Sequence, residues 1–401
     1  MKKDFMFTSE SVTEGHPDKL CDQISDAFLD HFLEQDPCSR IIAECAVSTS
    51  ILFIAARFAS EDASVDFPSV ARKVIRNMGY DHPDFNSRTC SILTSLREMP
   101  ADEIGCFNEN ELTEEEIDRI PVKNQVTLFG FACDHTPDFM PMPVWLAHRL
   151  SRKMVSVSRD KTLPYLCLDG KTQVGVEFRD RRPVRIHSIA VTASQCDAGS
   201  PSLSVLRDDL RETVIMPVLE DAPLQPDEHT KIFVNPDGPF VLGGPSVHSG
   251  LTGRKNAIDT YGEFSRHSGA ALSGKDPLRI DRVGAYAARY AAKNVVAAGL
   301  ARECEVILSY SLGQSRPVSV QVETYATGKI SDNKISKLLE QHFEFRIAGI
   351  VKQFRLKRLP FENKGGFYRK LAAYGHMGRG DLAVPWELVD KADLLREAAG
   401  K

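Results

Sequence analysis

The chain has 401 residues, with 50 Lys and Arg against 55 Asp and Glu for a net charge of −5. That length exceeds what one hydrophobic core organises, so two or three domains of about 100–200 residues each are expected. The acidic balance excludes a broad polyanion-binding surface, and with it nucleic acid or an anionic membrane as the main partner.

In chain order, Met1-Lys2-Lys3-Asp4-Phe5 opens a polar stretch without the apolar core of a signal peptide, and no later run is long enough to span a bilayer. A cytoplasmic protein is the expectation. Leu20, Ile24, Phe28 and Phe32 recur every four positions with Asp22, Asp26 and Asp30 on the other side, which predicts an amphipathic helix over 20–33. Residues 41–58 are rich in Ile, Val and Ala without helical stripes and read as strands. Residues 99–123 hold eight acidic side chains and no sustained apolar stripe, which predicts a mobile connection with one short helix over 113–120. Val174-Gly175-Val176-Glu177-Phe178 and Val184-Arg185-Ile186 flank a turn-prone run and predict a hairpin. Leu206, Leu210 and Val214 predict a helix from 203 that stops at Pro217, and residues 306–308 and 318–322 predict two strands around a Gly313 turn. Helices and strands thus alternate in a sheet-plus-helix pattern. Nine scattered cysteines without CxxC or CxC spacing point to neither a zinc site nor a disulfide framework, and none is assigned a catalytic role.

Two constellations carry chemistry. The first, Gly15-His16-Pro17-Asp18-Lys19, leads into the 20–33 helix, where outward N–H groups favour anions and Asp18 offers a hard oxygen for a cation such as Mg²⁺. The same pattern also suits Asp18 as a capping residue and His16 as a loop histidine. The second runs from Gly243 to Lys255 and on through Ser273-Gly274-Lys275-Asp276-Pro277-Leu278-Arg279-Ile280-Asp281-Arg282. Its glycines let backbone approach a ligand closely, and Arg254, Lys255, Lys275 and Arg279 offer cationic hydrogen bonds to a polyphosphate. A glycine-rich turn with a solvated basic face is the other reading. The spacing is not that of a Walker A loop.

Together the Gly-His-Pro-Asp-Lys turn, Gly243-Gly244-Pro245, Gly250-Leu251-Thr252-Gly253-Arg254-Lys255, the Lys275–Arg282 segment and Ala285-Tyr286-Ala287-Ala288-Arg289-Tyr290 resemble the S-adenosylmethionine synthetases. Further matches, among them Asp169-Gly170-Lys171-Thr172 and Tyr374-Gly375-His376-Met377-Gly378-Arg379, extend the resemblance from about Phe7 to Ala399. It implies an α/β fold of α+β type with three intertwined sheet-and-helix domains in pseudo-threefold arrangement. The segments would be 3–102, 119–241 and 242–398, with 99–123 as the connecting loop. It also implies a homodimer or homotetramer with active sites between subunits.

By the same resemblance His16, Lys171, Lys275 and Arg279 are catalytic, surrounding the triphosphate of ATP together with Arg254 and Lys255. Asp169 is the ribose-side carboxylate and Phe240 the adenine-stacking aromatic. Asp18 and Asp281 hold two Mg²⁺ ions, Glu44 holds K⁺, and Glu10 is a further active-site acid. Arg279 stands where the family has lysine. The implied reaction is attack of sulfur on C5′ of ATP with loss of the whole triphosphate, which is then cut to pyrophosphate and phosphate. Such chemistry rests on in-line positioning and on neutralising the leaving group.

Departures from the family fall on the sulfur substrate. Arg57 stands for a glutamate that faces methionine, Asn124 for an aspartate and His248 for another acid, and no glutamine lies between Leu96 and Pro100, where Glu98 occurs. An ammonium taken out of water needs acidic partners, so these changes favour an acceptor without a free α-amino group, such as a carboxylate-bearing thioether. Glu10, Arg57, Glu98, Asn124 and His248 form the expected acceptor pocket. Ordinary methionine adenosyltransfer is the alternative, with Glu98 or Glu103 taking over the lost charge. An ATP triphosphohydrolase and a nucleotide-binding regulatory subunit are two further readings.

Overall fold

The computed structural model describes residues 3–100, 106–196, 200–363 and 365–400. Its first half runs β1 (Phe5–Val12), α1 (Pro17–Gln35), β2 (Arg40–Ser48), β3 (Ile51–Ala59), α2 (Phe67–Met78), the short pair β4 (Asp81–His82) and β5 (Phe85–Asn86), β6 (Ser91–Glu98), α3 (Glu114–Arg119), β7 (Val126–Cys133), α4 (Met142–Arg159), β8 (Leu166–Arg179) and β9 (Arg182–Gln195). The second half runs α5 (Leu203–Leu210), α6 (Met216–Glu220), β10 (Lys231–Val234), β11 (Gly250–Leu251), α7 (Asn256–Asp259), α8 (Ile280–Ala297), β12 (Glu303–Tyr310), β13 (Ser319–Glu323), α9 (Asp332–His342), α10 (Ile347–Phe354), α11 (Leu359–Glu362), α12 (Tyr368–Leu371) and α13 (Ala392–Ala398).

Three mixed layers result, and each sheet joins strands that lie far apart in sequence. Their orders are β1-β8-β9-β10, β11-β2-β3-β6 and β13-β12-β7. One long helix packs on each: α4 on β1 and β8, α1 on β2 and β11, and α8 on β7 and β12. The apolar stripes of these helices meet the inward faces of the sheets in one continuous core. Among the described residues no helix is long and apolar enough to cross a membrane.

Sheet β11-β2-β3-β6 is covered on one side only. Its inward residues Ile41, Ala43, Cys45, Leu52, Ile54 and Ala56 are buried. On the other side Leu251, Ala46, Phe53 and Leu93 form one cross-strand row, with Leu251, Phe53 and Leu93 exposed by 45%, 41% and 54%. Glu44, Ala55 and Ser95 form the next row, then Ile42, Arg57 and Arg97. An exposed apolar face of this kind in an otherwise well-packed chain marks a surface that binds something.

Local expectations meet the structure with instructive differences. The α3 helix forms where the short helix was expected, closed by a Thr113–Glu116 capping box, and Leu112 and Ile117 pack against Ala348. The part of the expected mobile connection that is described therefore docks on the body of the protein, while Glu103 lies outside the described residues. The hairpin turns at Asp180 and Arg181, whose φ values of 46° and 59° match a tight two-residue turn. The helix beginning at Leu203 does not stop at Pro217. A π-helical turn over Arg211–Ile215 lets it resume as α6, in whose first turn Pro217 needs no hydrogen-bonded N–H. Cys38 and Cys106, 68 residues apart, are joined in a disulfide that sequence spacing did not suggest.

The largest difference concerns α1. Asp22, Asp26 and Asp30 do not form a solvated face, since all three are buried. Asp22 accepts from Lys19 at 2.9 Å and from the Gly253 N–H at 2.7 Å. Asp26 takes a bidentate pair from Arg282 at 2.9 and 2.7 Å, and Asp30 accepts the N–H groups of Phe367, Tyr368 and Arg369. Segments far along the chain supply every one of these partners except Lys19, which is why the sequence pattern misled.

Candidate active site

The first polar group forms where β1 ends. The His16 N–H bonds to the Thr13 carbonyl at 3.1 Å, and the His16 side chain caps α1, its Nδ1 accepting from the Asp18 N–H at 3.2 Å. The cap is thus His16, not Asp18. Asp18 is fully buried in the first turn, where its Oδ1 accepts from the Leu251 N–H at 3.0 Å and faces Arg254 Nε at 2.8 Å. Lys255 Nζ lies 3.7 Å from Oδ2, which has no hydrogen bond. The loop reaches the helix start because Gly250 has no side chain: a Cβ there would lie 2.1 Å from the Pro17 carbonyl oxygen.

Asp169, buried in β8, extends this group. Its Oδ2 accepts from the Gly244 N–H at 2.8 Å and from His248 Nε2 at 2.6 Å, while Oδ1 is buried without a partner. Phe240 closes in on the same carboxylate, for a Cβ on Gly243 would lie 2.6 Å from Asp169 Cβ and 2.9 Å from Phe240 Cζ. His248 and His16 have ring centroids 4.8 Å apart. Beside Asp169 opens a cavity of about 620 Å³ lined by Tyr80, Phe85, Cys167, Cys196, Gly243 and Ser246 among others.

Burial sets the charge states here. It drives the His16 imidazole down to about 4 against the pull of Asp169 and Asp18, so the ring is neutral at pH 7. Nδ1 accepts from a backbone N–H, so the proton sits on Nε2, which is buried and unpartnered. Burial also pushes the Asp169 carboxyl up, but the hydrogen bond from His248, the nearby His16 and the Gly244 N–H outweigh it and hold the group below its ordinary range.

A second group gathers at the start of α8. Asn124 Nδ2 donates to both oxygens of Asp281, at 2.9 and 3.1 Å, and Lys275 Nζ stands 3.4 Å from Oδ1. Arg279 stands at the start of α8 with its Nε 3.7 Å from Asp276, a buried carboxylate that also holds Arg40 at 3.1 Å. Lys275 pairs by backbone with Ile42, whose strand neighbour is Arg57, and Glu44 lies two residues on along the same face of β2. Burial lowers the Lys275 ammonium below its ordinary value although Asp281 and Glu44 oppose this.

Of the sixteen expected site residues, all but Glu98 therefore fall into two sets. His16, Asp18, Asp169, Phe240, His248, Arg254 and Lys255 converge, with the Lys171 charge acting on His16. Glu10, opposite Gln173 in the β1–β8 pair, is near Glu263, which also faces Lys255. Glu44, Arg57, Asn124, Lys275, Arg279 and Asp281 form the other set. Among the described residues no hydrogen bond or ion pair joins Asp18 to Asp281 within the chain. Glu98 pairs with Phe58 and alternates to the side of the sheet opposite Arg57, so it does not replace a carboxylate there. Tyr80, whose hydroxyl donates to the Gly15 carbonyl, and the Cys167–Cys196 thiol pair, with sulfurs 2.8 Å apart, were not singled out from the sequence. No motif marks them, since only the fold brings them to the cavity.

Both sets offer the hard oxygens and cations that a metal-bound polyphosphate requires. The orphaned, buried Asp18 Oδ2 and the Asp281 carboxylate suit Mg²⁺, and the Glu44 carboxylate suits a monovalent cation.

Comparison with known proteins gives this arrangement its context. Family models described as the S-adenosylmethionine synthetase N-terminal, central and C-terminal domains match residues 4–101, 119–240 and 242–388. The chain is 48% identical over 412 positions to the S-adenosylmethionine synthase of Microcystis aeruginosa, covering 99% of each chain. It is 46% identical over 411 positions to that of Acaryochloris marina, covering 99% of this chain and 98% of the relative. The protein is an enzyme of the adenosyltransferase class, an α/β chain of three intertwined layers. It belongs to the S-adenosylmethionine synthetase family.

Proposed function

We propose that this enzyme joins ATP to methionine, the sulfur attacking C5′ while triphosphate departs and is then cut to pyrophosphate and phosphate. The observation that carries the reading is the buried Asp18 carboxylate, with one oxygen orphaned and Arg254 and Lys255 set around it at the start of α1. Close identity to proteins named S-adenosylmethionine synthase supports methionine as the acceptor.

Arg254, Lys255, Lys171, Lys275 and Arg279 bind the phosphates by charge-assisted hydrogen bonds, and the His16 Nε2–H is a further donor to the leaving group. Phe240 stacks on the adenine and Asp169 faces the ribose. Asp18 and Asp281 would hold Mg²⁺ and Glu44 would hold K⁺; bound Mg²⁺ supplies neutralisation of the leaving charge. The bare face of β11-β2-β3-β6 supports pairing with a second copy, which would bring the Asp18 group of one subunit against the Asp281 group of the other. Segments 3–102, 119–241 and 242–398 would then act as domains of one subunit.

A second reading is kept for the acceptor. Arg57, Asn124 and His248 place no carboxylate where an α-ammonium would bind, which favours a thioether without that group. A panel of methionine, 3-(methylthio)propionate and no acceptor, with ATP, Mg²⁺ and K⁺, separates these by mass spectrometry. S-adenosylmethionine as the main product supports the first reading, an adenosyl sulfonium of the propionate alone the second. Adenosine without acceptor, or ATP bound and uncut, overturns both.

A further inference from the structure

The pairing of His248 with Asp169 has no use in attack by a thioether. A thioether carries no proton on sulfur, so sulfonium formation releases none and requires no base. Yet the geometry is that of a base held for proton transfer. Asp169 is buried, accepts from the Gly244 N–H at 2.8 Å, and as a carboxylate only accepts, so His248 Nε2 must donate across the 2.6 Å contact. This fixes the neutral tautomer and leaves the Nδ1 lone pair facing away from Asp169. Nδ1 makes no hydrogen bond among the described residues, and the side chain is 31% exposed, enough to meet a ligand. The ring stands 4.8 Å from that of His16, whose unpartnered Nε2–H is free to donate to the departing group. A base and a leaving-group donor thus lie side by side.

The three side chains His16, Asp169 and His248 also lie close enough to surround a metal ion, their nearest ligand atoms all within 4.8 Å of one another. The hydrogen bonding argues otherwise. His16 Nδ1 accepts from the Asp18 N–H, so Nε2 holds the proton and is not a ligand without breaking the helix cap.

We infer that this enzyme also adenosylates thiols, with His248, oriented by Asp169, acting as the general base in that second reaction. The inference rests on adenosyl transfer at this site, as proposed above. In the step the S–H proton passes to His248 Nδ1, the sulfur lone pair forms the bond to C5′, and the C5′–O bond breaks with its electron pair leaving on triphosphate. The product is a neutral thioether of adenosine rather than a sulfonium, and the proton later returns to water. Asp169 is the positioning residue.

The experiment compares matched pairs, methionine with homocysteine and 3-(methylthio)propionate with 3-mercaptopropionate, on the full chain with ATP, Mg²⁺ and K⁺. Expected is an adenosyl thioether from at least one thiol. Replacing His248 by Asn, which keeps a polar group but no base, should lower the ratio of thiol to thioether transfer by about 10²-fold, both measured at saturating acceptor and ATP so that any loss of binding shared by the two reactions cancels. Equal loss with thiol and thioether would make His248 a structural residue and overturn the inference. Sulfonium without any thiol product overturns this inference alone and leaves adenosyl transfer standing; no adenosylated product from any acceptor, adenosine as the sole product included, sinks both. Circular dichroism of His248→Asn, and a His248→Gln variant expected to behave alike, guard against loss of fold.

Discussion

One helix carries two kinds of buried charge. In the middle of α1, Asp22, Asp26 and Asp30 have their oxygens taken up by Lys19, Arg282 and backbone N–H groups. At its start, Asp18 Oδ2 and His16 Nε2 are equally buried but make no hydrogen bond, and Asp169 Oδ1 beside them is the same. A satisfied network fixes the fold, because leaving any member alone costs the full desolvation of a charge. Orphaned atoms carry a cost in the free protein that a ligand can repay on binding. The difference separates residues that hold α1 in place from residues that await substrate.

Breaking the middle of the helix should have the largest effect. Arg282→Met strands the Asp26 carboxylate and is expected to destabilise by about 3–5 kcal/mol, a large part of the stability of a folded domain, read as a lower midpoint in urea denaturation. Adding Asp26→Leu to the same chain should restore a good part of that loss. A double variant no better than the single would show that the pair is not the unit described.

At the other end the expectation reverses. Asp18→Asn and Asp281→Asn should each lower kcat by about 10²-fold or more, with a much smaller loss of stability than Arg282→Met, because the amide oxygen can still accept from the Leu251 N–H or from Asn124 and the partly exposed Arg254 keeps access to water. Mixing the two inactive variants under conditions that let subunits exchange sharpens the point. If each site takes Asp18 from one subunit and Asp281 from the other, the mixed dimers contain one intact site, and about a quarter of wild-type activity returns. No recovery after verified exchange would place both aspartates in one subunit's site.

The smallest effect is on pH. Burial, aided by Arg152 and Arg379, lowers His148 to about 3, as burial lowers His16 to about 4. Below pH ~6.5 the unfolded chain takes up protons that these folded imidazoles refuse, so stability is lost as pH falls from about 6.5 towards 4. Each such histidine removes up to about 1.4 kcal/mol per pH unit in that window. His148→Asn should show a shallower fall of melting temperature between pH 7 and 5, and an unchanged slope would contradict the assignment.

Much of this was legible in the residues. The short α3 helix, the hairpin at Asp180-Arg181 and the strands around Gly313 follow from turn chemistry and periodicity within a dozen positions. The types of side chain that a triphosphate site requires were also legible, since Arg254, Lys255, Lys275 and Arg279 sit in two glycine-bearing segments. Not legible were the partners. An aspartate every fourth residue reads as a solvated stripe, and nothing within α1 says that Arg282, 256 residues on, will cover Asp26.

The chain by itself determined local conformation and the inventory of charges, because hydrogen bonds of caps and turns close over a few residues. Tertiary structure alone decided which carboxylates are neutralised and which stay open. It also decided that the expected site residues form two groups, and that His248 leans on Asp169, 79 positions away. The reason is that a side chain's period fixes the direction in which it points, while the charge it meets there depends on segments brought together only by burying the common core.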